Sequence, residues 1–125
     1  MSNDIEKMTR KSQEAMQAAA KLAERKLSPS VEPEHLLMEL VQQSEGIVPR
    51  ILDKVNVPQA QFLADLRTRI DKFPQVTGGS QKMYASPRLE KIFQAAETEA
   101  QEWGDSYIST EHFFMAMLKG GDSDL

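Results

Sequence analysis

The chain has 125 residues, a formal net charge of −4 at neutral pH and no cysteine. This length suits one domain that buries roughly two-thirds of the surface exposed by its unfolded form, and the lack of cysteine excludes disulfides and thiolate nucleophiles and favours a cytoplasmic location. Acidic and basic residues are interspersed, and no stretch approaches the roughly 18 apolar residues that span a bilayer, so neither nucleic acid nor a membrane is an expected partner.

Apolar residues that recur at three- and four-residue steps predict six amphipathic helices. Their apolar stripes cover residues 5–23, 36–41, 48–55, 62–70, 89–100 and 113–118. The pair Gly120-Gly121 is expected to stop the sixth helix. Between about residues 71 and 86 the periodicity disappears, and Gly78 and Gly79 indicate a flexible linker. No segment alternates as a strand does, so we predict an all-α fold.

The chain contains an internal duplication. A shift of 77 residues aligns residues 16–19 with 93–96 and residues 34–38 with 111–115 without a gap. Over residues 16–41 seven positions are identical between the copies, where background usage would give about one or two. Each copy keeps the same apolar face, so the two halves are expected to share one core as a pseudo-twofold helical bundle.

The duplication also predicts the domain organisation. We expect a single domain over residues 1–125, with a first repeat of a four-helix motif at about 5–70, a linker at about 71–86 and a second repeat at about 87–125. The second repeat reaches Leu125 before the equivalents of its third and fourth helices. We therefore expect a truncated second repeat and a chain that is a fragment of a longer protein.

The sequence offers no arrangement for catalysis. The segment 77–80 is too short for a phosphate-binding loop and lacks the helix that would follow one. His35 and His112 occupy equivalent repeat positions without a second ligand at metal-binding spacing, which favours a structural role. Glu34 and Glu111 lie in the first turns of their helices, where the helix dipole stabilises a carboxylate. We predict a non-catalytic chain without a metal or cofactor of its own.

The segments Val31–Leu37 (VEPEHLL) and Ile108–Phe113 (ISTEHF) resemble the repeated signature of the Clp N-terminal domain family. The resemblance covers the whole chain. The segments 73–79 and 86–89 are more similar to the inter-repeat linker of the ClpB-type disaggregases than to that of the protease-coupled members.

The resemblance implies the substrate-engaging N-terminal domain of an ATP-dependent, protein-disaggregating chaperone. Such a domain binds unfolded or aggregated polypeptide and helps to deliver it to a hexameric ATPase ring, while ATP is bound elsewhere in the longer protein. The residues associated with substrate handling fall on Thr9, Asp105 and Glu111. We expect these three to surround an apolar groove between the first and sixth helices, and the isolated domain to be monomeric.

Two other functions stay open. The domain could dock adaptor proteins for a protease-coupled Clp ATPase, or it could be a free-standing enzyme or small-molecule-binding bundle with a deep pocket and convergent polar groups.

The resemblance also implies that groove positions often filled by leucine correspond to Ala95, Glu99 and His112 here, which predicts a more polar groove.

Overall fold

The computed structural model describes residues 5–77 and 83–121. Within these residues the chain is all-helical, and two isolated bridges are its only β-type pairings. The six α-helices are α1 Arg10–Arg25, α2 Pro33–Gln42, α3 Ile47–Lys54, α4 Gln59–Asp71, α5 Pro87–Glu102 and α6 Thr110–Ala116. The predicted all-α fold is confirmed.

The first helix begins later than the apolar stripe predicts. The stripe starts at Ile5, whereas α1 starts at Arg10, after the N-cap residue Thr9. The side-chain oxygen of Thr9 accepts a hydrogen bond from the backbone N–H of Ser12, which satisfies one of the free donors of the first turn. Met8 is buried because it pairs with another part of the chain, so its apolar spacing does not reflect helix periodicity.

The first two helices of the first repeat have counterparts in the second repeat. Shifting α1 by 77 residues gives the bounds of α5, and the same shift places the start of α2 on the start of α6. Ser86 caps α5 by accepting from the backbone N–H of Leu89, as Thr9 caps α1. The pseudo-twofold duplicated bundle is therefore confirmed at the level of helices and caps.

Two parallel bridges connect the repeats in a crossed manner. Met8 of the first repeat pairs with Ile108 of the second, and Ala85 of the second pairs with Val31 of the first. These two pairs are exchanged by the 77-residue shift. In each bridge the N–H of the next residue donates to the opposite carbonyl, at 3.0 and 2.9 Å. Each repeat is thus held by the segment that leads into the other repeat's first helix.

The core lies between the repeats. Its largest fully buried apolar side chains are Leu36, Leu40, Leu89, Ile92, Ile108 and Phe113. Helices α1 and α2 pack on each other, as do α5 and α6, while α4 covers α2 and α3 contacts α6. Burial of apolar surface from both halves at about 25 cal/mol per Å² makes the repeats one cooperative unit.

Helices α1 and α5 each end in a turn of the same conformation. Gly104 adopts φ +77° after α5, and its counterpart Leu27 adopts φ +57° after α1. In both turns the backbone N–H of the next residue is hydrogen-bonded to a carbonyl in the last turn of the helix. Ser28 donates to the carbonyl of Ala23 and Asp105 to that of Ala100, each at 2.9 Å. This turn directs Asp105 back toward the start of α6.

The last helix and the linker differ in detail from the prediction. Helix α6 ends at Ala116 and continues as a π-helical turn over Met117–Gly121, so Gly120-Gly121 belong to the helical segment. Gly78 and Gly79, on which the flexible linker was predicted, lie outside the described residues.

Among the helices of the described chain, none has the length and apolarity needed to cross a membrane.

Candidate functional site

An apolar groove of about 300 Å³ lies between residues 5–16 and the first half of α5. Six of its lining residues are apolar: Ile5, Met8, Met16, Ala85, Leu89 and Phe93. Glu90, Gln94 and Glu97 form its polar rim. We call this surface the seam groove.

The duplication places the seam groove on the pseudo-twofold axis. Met8 and Ala85 are equivalent positions of the two repeats, and so are Met16 and Phe93, and all four line the groove. Equivalent residues meet only where the symmetry axis passes, so the groove marks the line along which the repeats join. The flexible thioethers of the two methionines suit contacts with varied apolar groups.

The rim of the seam groove is acidic. Glu97 forms an ion pair of 2.9 Å with Lys7, whose side chain is half exposed. Glu90 is exposed in the first turn of α5. Exposed ion pairs contribute little stability, so this pair adds little to the stability of the fold.

Thr9 lies beside the segment that leads into α6. Its backbone N–H donates to the carbonyl of Ile108 at 3.0 Å. Its hydroxyl caps α1 by accepting from the N–H of Ser12 at 3.2 Å, and it donates to the Ser12 hydroxyl at 3.1 Å. The structure therefore gives Thr9 a helix-capping role and brings it close to residues 105–111.

Asp105 is hydrogen-bonded to a buried histidine. Its Oδ2 lies 2.9 Å from Nε2 of His112, which is only 1% exposed. Nδ1 of His112 accepts from the backbone N–H of Ser109 at 2.8 Å. Because Nδ1 is the acceptor, Nε2 carries the proton and donates to Asp105. Glu111, in the first turn of α6, is half-buried, and its carboxylate has no hydrogen bond or ion pair with any other described residue.

Ser109, His112 and Asp105 have the composition of a catalytic triad but the geometry of a helix cap. The Ser109 hydroxyl lies 3.0 Å from Nδ1 of His112, yet it also accepts from the His112 backbone N–H at 3.4 Å. His35 repeats the arrangement at the start of α2, where its Nδ1 accepts from the N–H of Glu32 at 2.9 Å. A capping box that occurs in both repeats explains these contacts without an activated nucleophile.

The glutamate of the first repeat that is equivalent to Glu111 forms an ion pair with an arginine of the same chain. Glu34 is the counterpart of Glu111, and its Oε2 accepts from Arg88 at 3.0 Å. Arg88 also donates to Glu32 at 3.2 Å. The counterpart of Arg88 in the first repeat, Lys11, reaches instead to the carbonyl of Ser44 at 2.9 Å. The two equivalent carboxylates therefore differ, since Glu34 is buried and ion-paired and Glu111 is not.

The cavity does not lie where the sequence predicted a groove. We expected it between α1 and α6, surrounded by Thr9, Asp105 and Glu111, but it lies between α1 and α5 and none of these three lines it. Helical periodicity shows which face of a helix is apolar, but it does not show which faces pair. The bridge at Ile108 joins Thr9 to the segment that runs from Asp105 to Glu111, and the role of these three residues in binding stays a prediction.

The predicted polar groove positions do not line the cavity either. Glu99 is buried and pairs with Lys119 at 2.9 Å. That hydrogen bond raises the pKa of Lys119. His112 is buried in the capping box, and Ala95 is partly buried against the core. The polar side chains of Glu99 and His112 therefore have their partners within the domain.

The environment of His35 differs from that of His112. Nε2 of His35 is buried without a hydrogen-bond partner among the described residues. The imidazole packs in a T-shaped arrangement with the ring of Phe73, and the two ring centroids are 5.5 Å apart. Burial lowers the pKa of His35 to about 4, against a smaller opposing effect of Glu32. In the second repeat the ring of Trp103 packs against that of His112, with the two ring centroids 4.7 Å apart. Across the described ranges, no group of three His, Cys, Asp or Glu side chains could hold a metal ion.

These features were compared with known proteins. The sequence model of the Clp repeat (R) N-terminal domain matches residues 7–125. The chain belongs to the Clp repeat N-terminal domain family. The resemblance predicted from the two copies of the Glu-His signature is thereby confirmed.

Relatives of this Clp N-terminal domain include chaperones. The chaperone protein ClpB of Bdellovibrio bacteriovorus is 92% identical over 118 residues, which are 94% of this chain and 14% of that protein. The chain thus spans about a seventh of the length of this curated relative.

Solved structures share the fold of this Clp N-terminal domain. The Hsp104 N-terminal domain from Candida albicans superposes with a TM-score of 0.82 at 17% identity, covering 90% of this chain and 73% of that one. A ClpV N-domain in complex with a VipB peptide superposes with a TM-score of 0.79 at 22% identity, covering 97% and 73%. At these identities the superpositions show the fold alone.

Proposed function

We propose that this Clp N-terminal domain binds unfolded or aggregated polypeptide and helps to deliver it to the ATPase ring of a longer, protein-disaggregating chaperone. The observation that carries the proposal is the seam groove, an apolar cavity that is open at the junction of the repeats. The near-identity to a protein named as a chaperone supports the same role. We place the activity in the cytoplasm, with ATP bound and hydrolysed in other domains of the longer protein.

The seam groove suits weak binding of many sequences. A cavity of about 300 Å³ is at the lower end of ligand pockets and accommodates one or two apolar side chains. Its contacts come from flexible methionines and from Ile5, which is 47% exposed. Apolar burial is non-directional, so such a surface discriminates poorly between apolar segments, as a chaperone for diverse clients requires.

The polar residues next to the bridge at Ile108 would orient the client. Glu111 is the best candidate because, unlike its ion-paired counterpart Glu34, it has no ion pair among the described residues. Asp105 is half exposed and is held by His112. We therefore assign Thr9, Asp105 and Glu111 to the edge of the binding surface, with apolar contacts in the seam groove supplying the affinity.

Titration of the 125-residue chain with a permanently unfolded model polypeptide, followed by amide chemical shifts, tests the proposal. Ile5→Ser should weaken binding about fivefold, since it removes about 1 kcal/mol of apolar contact. Val55→Ser is the matched control, because Val55 is also an exposed aliphatic residue but does not line the groove. Shifts confined to residues outside the seam groove, or equal affinities of the two variants, would contradict the proposal.

The same titration tests the polar edge. Glu111→Gln should alter the affinity for clients that carry lysine or arginine beside an apolar segment, whereas Glu24→Gln, on the exposed surface of α1, should not. An unchanged affinity in both variants would remove Glu111 from the site and leave the seam groove as the binding surface.

Docking of an adaptor protein for a protease-coupled ATPase is the second candidate. The observation in its favour is that a ClpV N-domain of this fold is known in complex with a VipB peptide, a defined partner sequence. Affinities for unrelated unfolded sequences distinguish the two functions. Values within about tenfold of one another support client binding, and one sequence bound more than about a hundredfold more tightly supports docking.

A further inference from the structure

A second cavity, of about 190 Å³, lies between the end of α1, the second half of α2 and the second half of α4. Its floor is apolar and consists of the buried residues Leu22, Met38 and Ile70. Arg25, Lys26 and Arg67 line its rim together with Glu39 and Gln42. We call this cavity the basic pocket.

The basic pocket carries one excess positive charge. Lys26 is paired with Asp71 at 3.2 Å, and Arg25 faces the carboxyl of Glu39, whose pKa is raised by burial and lowered by Arg25 to a smaller extent. The guanidinium of Arg67 has no hydrogen bond or ion pair with another side chain or backbone group of the described chain. Three cations therefore face two carboxylates, although the whole chain is acidic.

The basic pocket is not a by-product of the duplication. The counterparts of Leu22 and Arg25 in the second repeat are Glu99 and Glu102. Glu99 is buried there in an ion pair with Lys119. Of the three helices that form the pocket, α1 and α2 have counterparts in α5 and α6. Because Leu22 and Arg25 are replaced by acidic residues there, the duplication alone does not account for the pocket.

We infer that the basic pocket binds the carboxyl-terminal residue of a partner polypeptide, with its carboxylate between Arg25 and Arg67 and an apolar last side chain on Leu22, Met38 and Ile70. A cavity of about 190 Å³ has room for one residue. A guanidinium group binds a carboxylate through two parallel hydrogen bonds, so two arginines at the rim suit this anion. An internal acidic side chain would present its charge without using the apolar floor.

An octapeptide ending in leucine, with an acetylated amino terminus and a free carboxylate, is the probe. Its affinity for the 125-residue chain is measured by calorimetry and compared with that of the same peptide with an amidated carboxyl terminus. Amidation should weaken binding about tenfold, and amide shifts caused by the free peptide should map to residues 22–26, 38–42 and 67–70. Replacing the last leucine by aspartate should also weaken it, because the floor is apolar.

Variants distinguish the pocket from general charge attraction. Arg25→Gln and Arg67→Gln should each weaken binding of the free peptide about fivefold and leave the amidated peptide unaffected. Arg50→Gln, at an exposed position of α3 outside the pocket, is the control and should have no effect. Equal affinity of the free and amidated peptides, no detectable binding at millimolar concentration, or insensitivity to both pocket variants would overturn the inference. None of these outcomes would contradict the proposed binding of clients in the seam groove, because those clients need no free carboxyl terminus.

Discussion

The ion pairs of Arg88 should contribute strongly to stability, because they compensate a carboxylate that the fold buries. The side chain of Glu34 is 3% exposed, and its Oε2 accepts from Arg88 at 3.0 Å. Its other oxygen has no partner among the described residues. In Arg88→Met the buried carboxylate loses this cation, while the aliphatic packing of the side chain is kept.

The expected loss is about 2–3 kcal/mol of unfolding free energy. Removing one partner of a fully buried ion pair costs about 3–5 kcal/mol, and the lower value applies because the Arg88 side chain is 36% exposed and water reaches it. The double variant Arg88→Met, Glu34→Gln should recover at least half of the loss, since it no longer buries a charge.

Urea unfolding at pH 7, followed by the fluorescence of the single tryptophan, measures these differences. Lys26→Met is the matched control, because its ion pair with Asp71 joins side chains that are 44% and 61% exposed and should contribute less than about 0.5 kcal/mol. If Arg88→Met were no more destabilising than Lys26→Met, or if Glu34→Gln gave no recovery, the account of Glu34 as a compensated buried charge would be wrong.

Two other predictions concern the capping residues. The unfolded chain binds a proton at His35 below about pH 6.5, whereas the folded chain holds this pKa at about 4, so stability falls as the pH falls. Wild-type unfolding free energy should drop about 2 kcal/mol more than that of His35→Gln between pH 7 and 5, and parallel pH curves in denaturant titrations would contradict this. Thr9→Ala should cost about 1 kcal/mol and Thr9→Ser almost nothing in thermal unfolding, because serine keeps the cap. Equal losses would show that the Thr9 methyl, and not its hydroxyl, matters.

The sequence predicted the helices well where caps and periodicity agree. Helix α5 begins at Pro87 after the cap Ser86, as expected from the repeat and the apolar stripe. The start of α1 was wrong because Ile5 and Met8 keep helical spacing although Met8 lies in a bridge with Ile108. A short extended segment that buries one side chain gives no signal that distinguishes it from a helix turn.

The surfaces were harder to predict than the helices. The seam groove lies between residues 5–16 and the first half of α5, and the apolar stripes of the sequence do not show that these two segments border a common cavity. Arg88 reaches Glu34 across 54 positions of the chain, which no local pattern reveals. The equivalence of Glu34 and Glu111 was visible in the sequence, but their different surroundings depend on this arginine.

The crossed bridges have a consequence for the origin of the fold. A lone copy of the repeat would contain both the Met8-type and the Val31-type residue, yet in the present chain each is joined to the opposite copy. An ancestor with one repeat could make the same joins by reciprocal exchange with a second identical polypeptide. Gene fusion would then have turned a symmetric dimer into one chain, after which the two halves were free to diverge at positions such as Arg25 and Arg88.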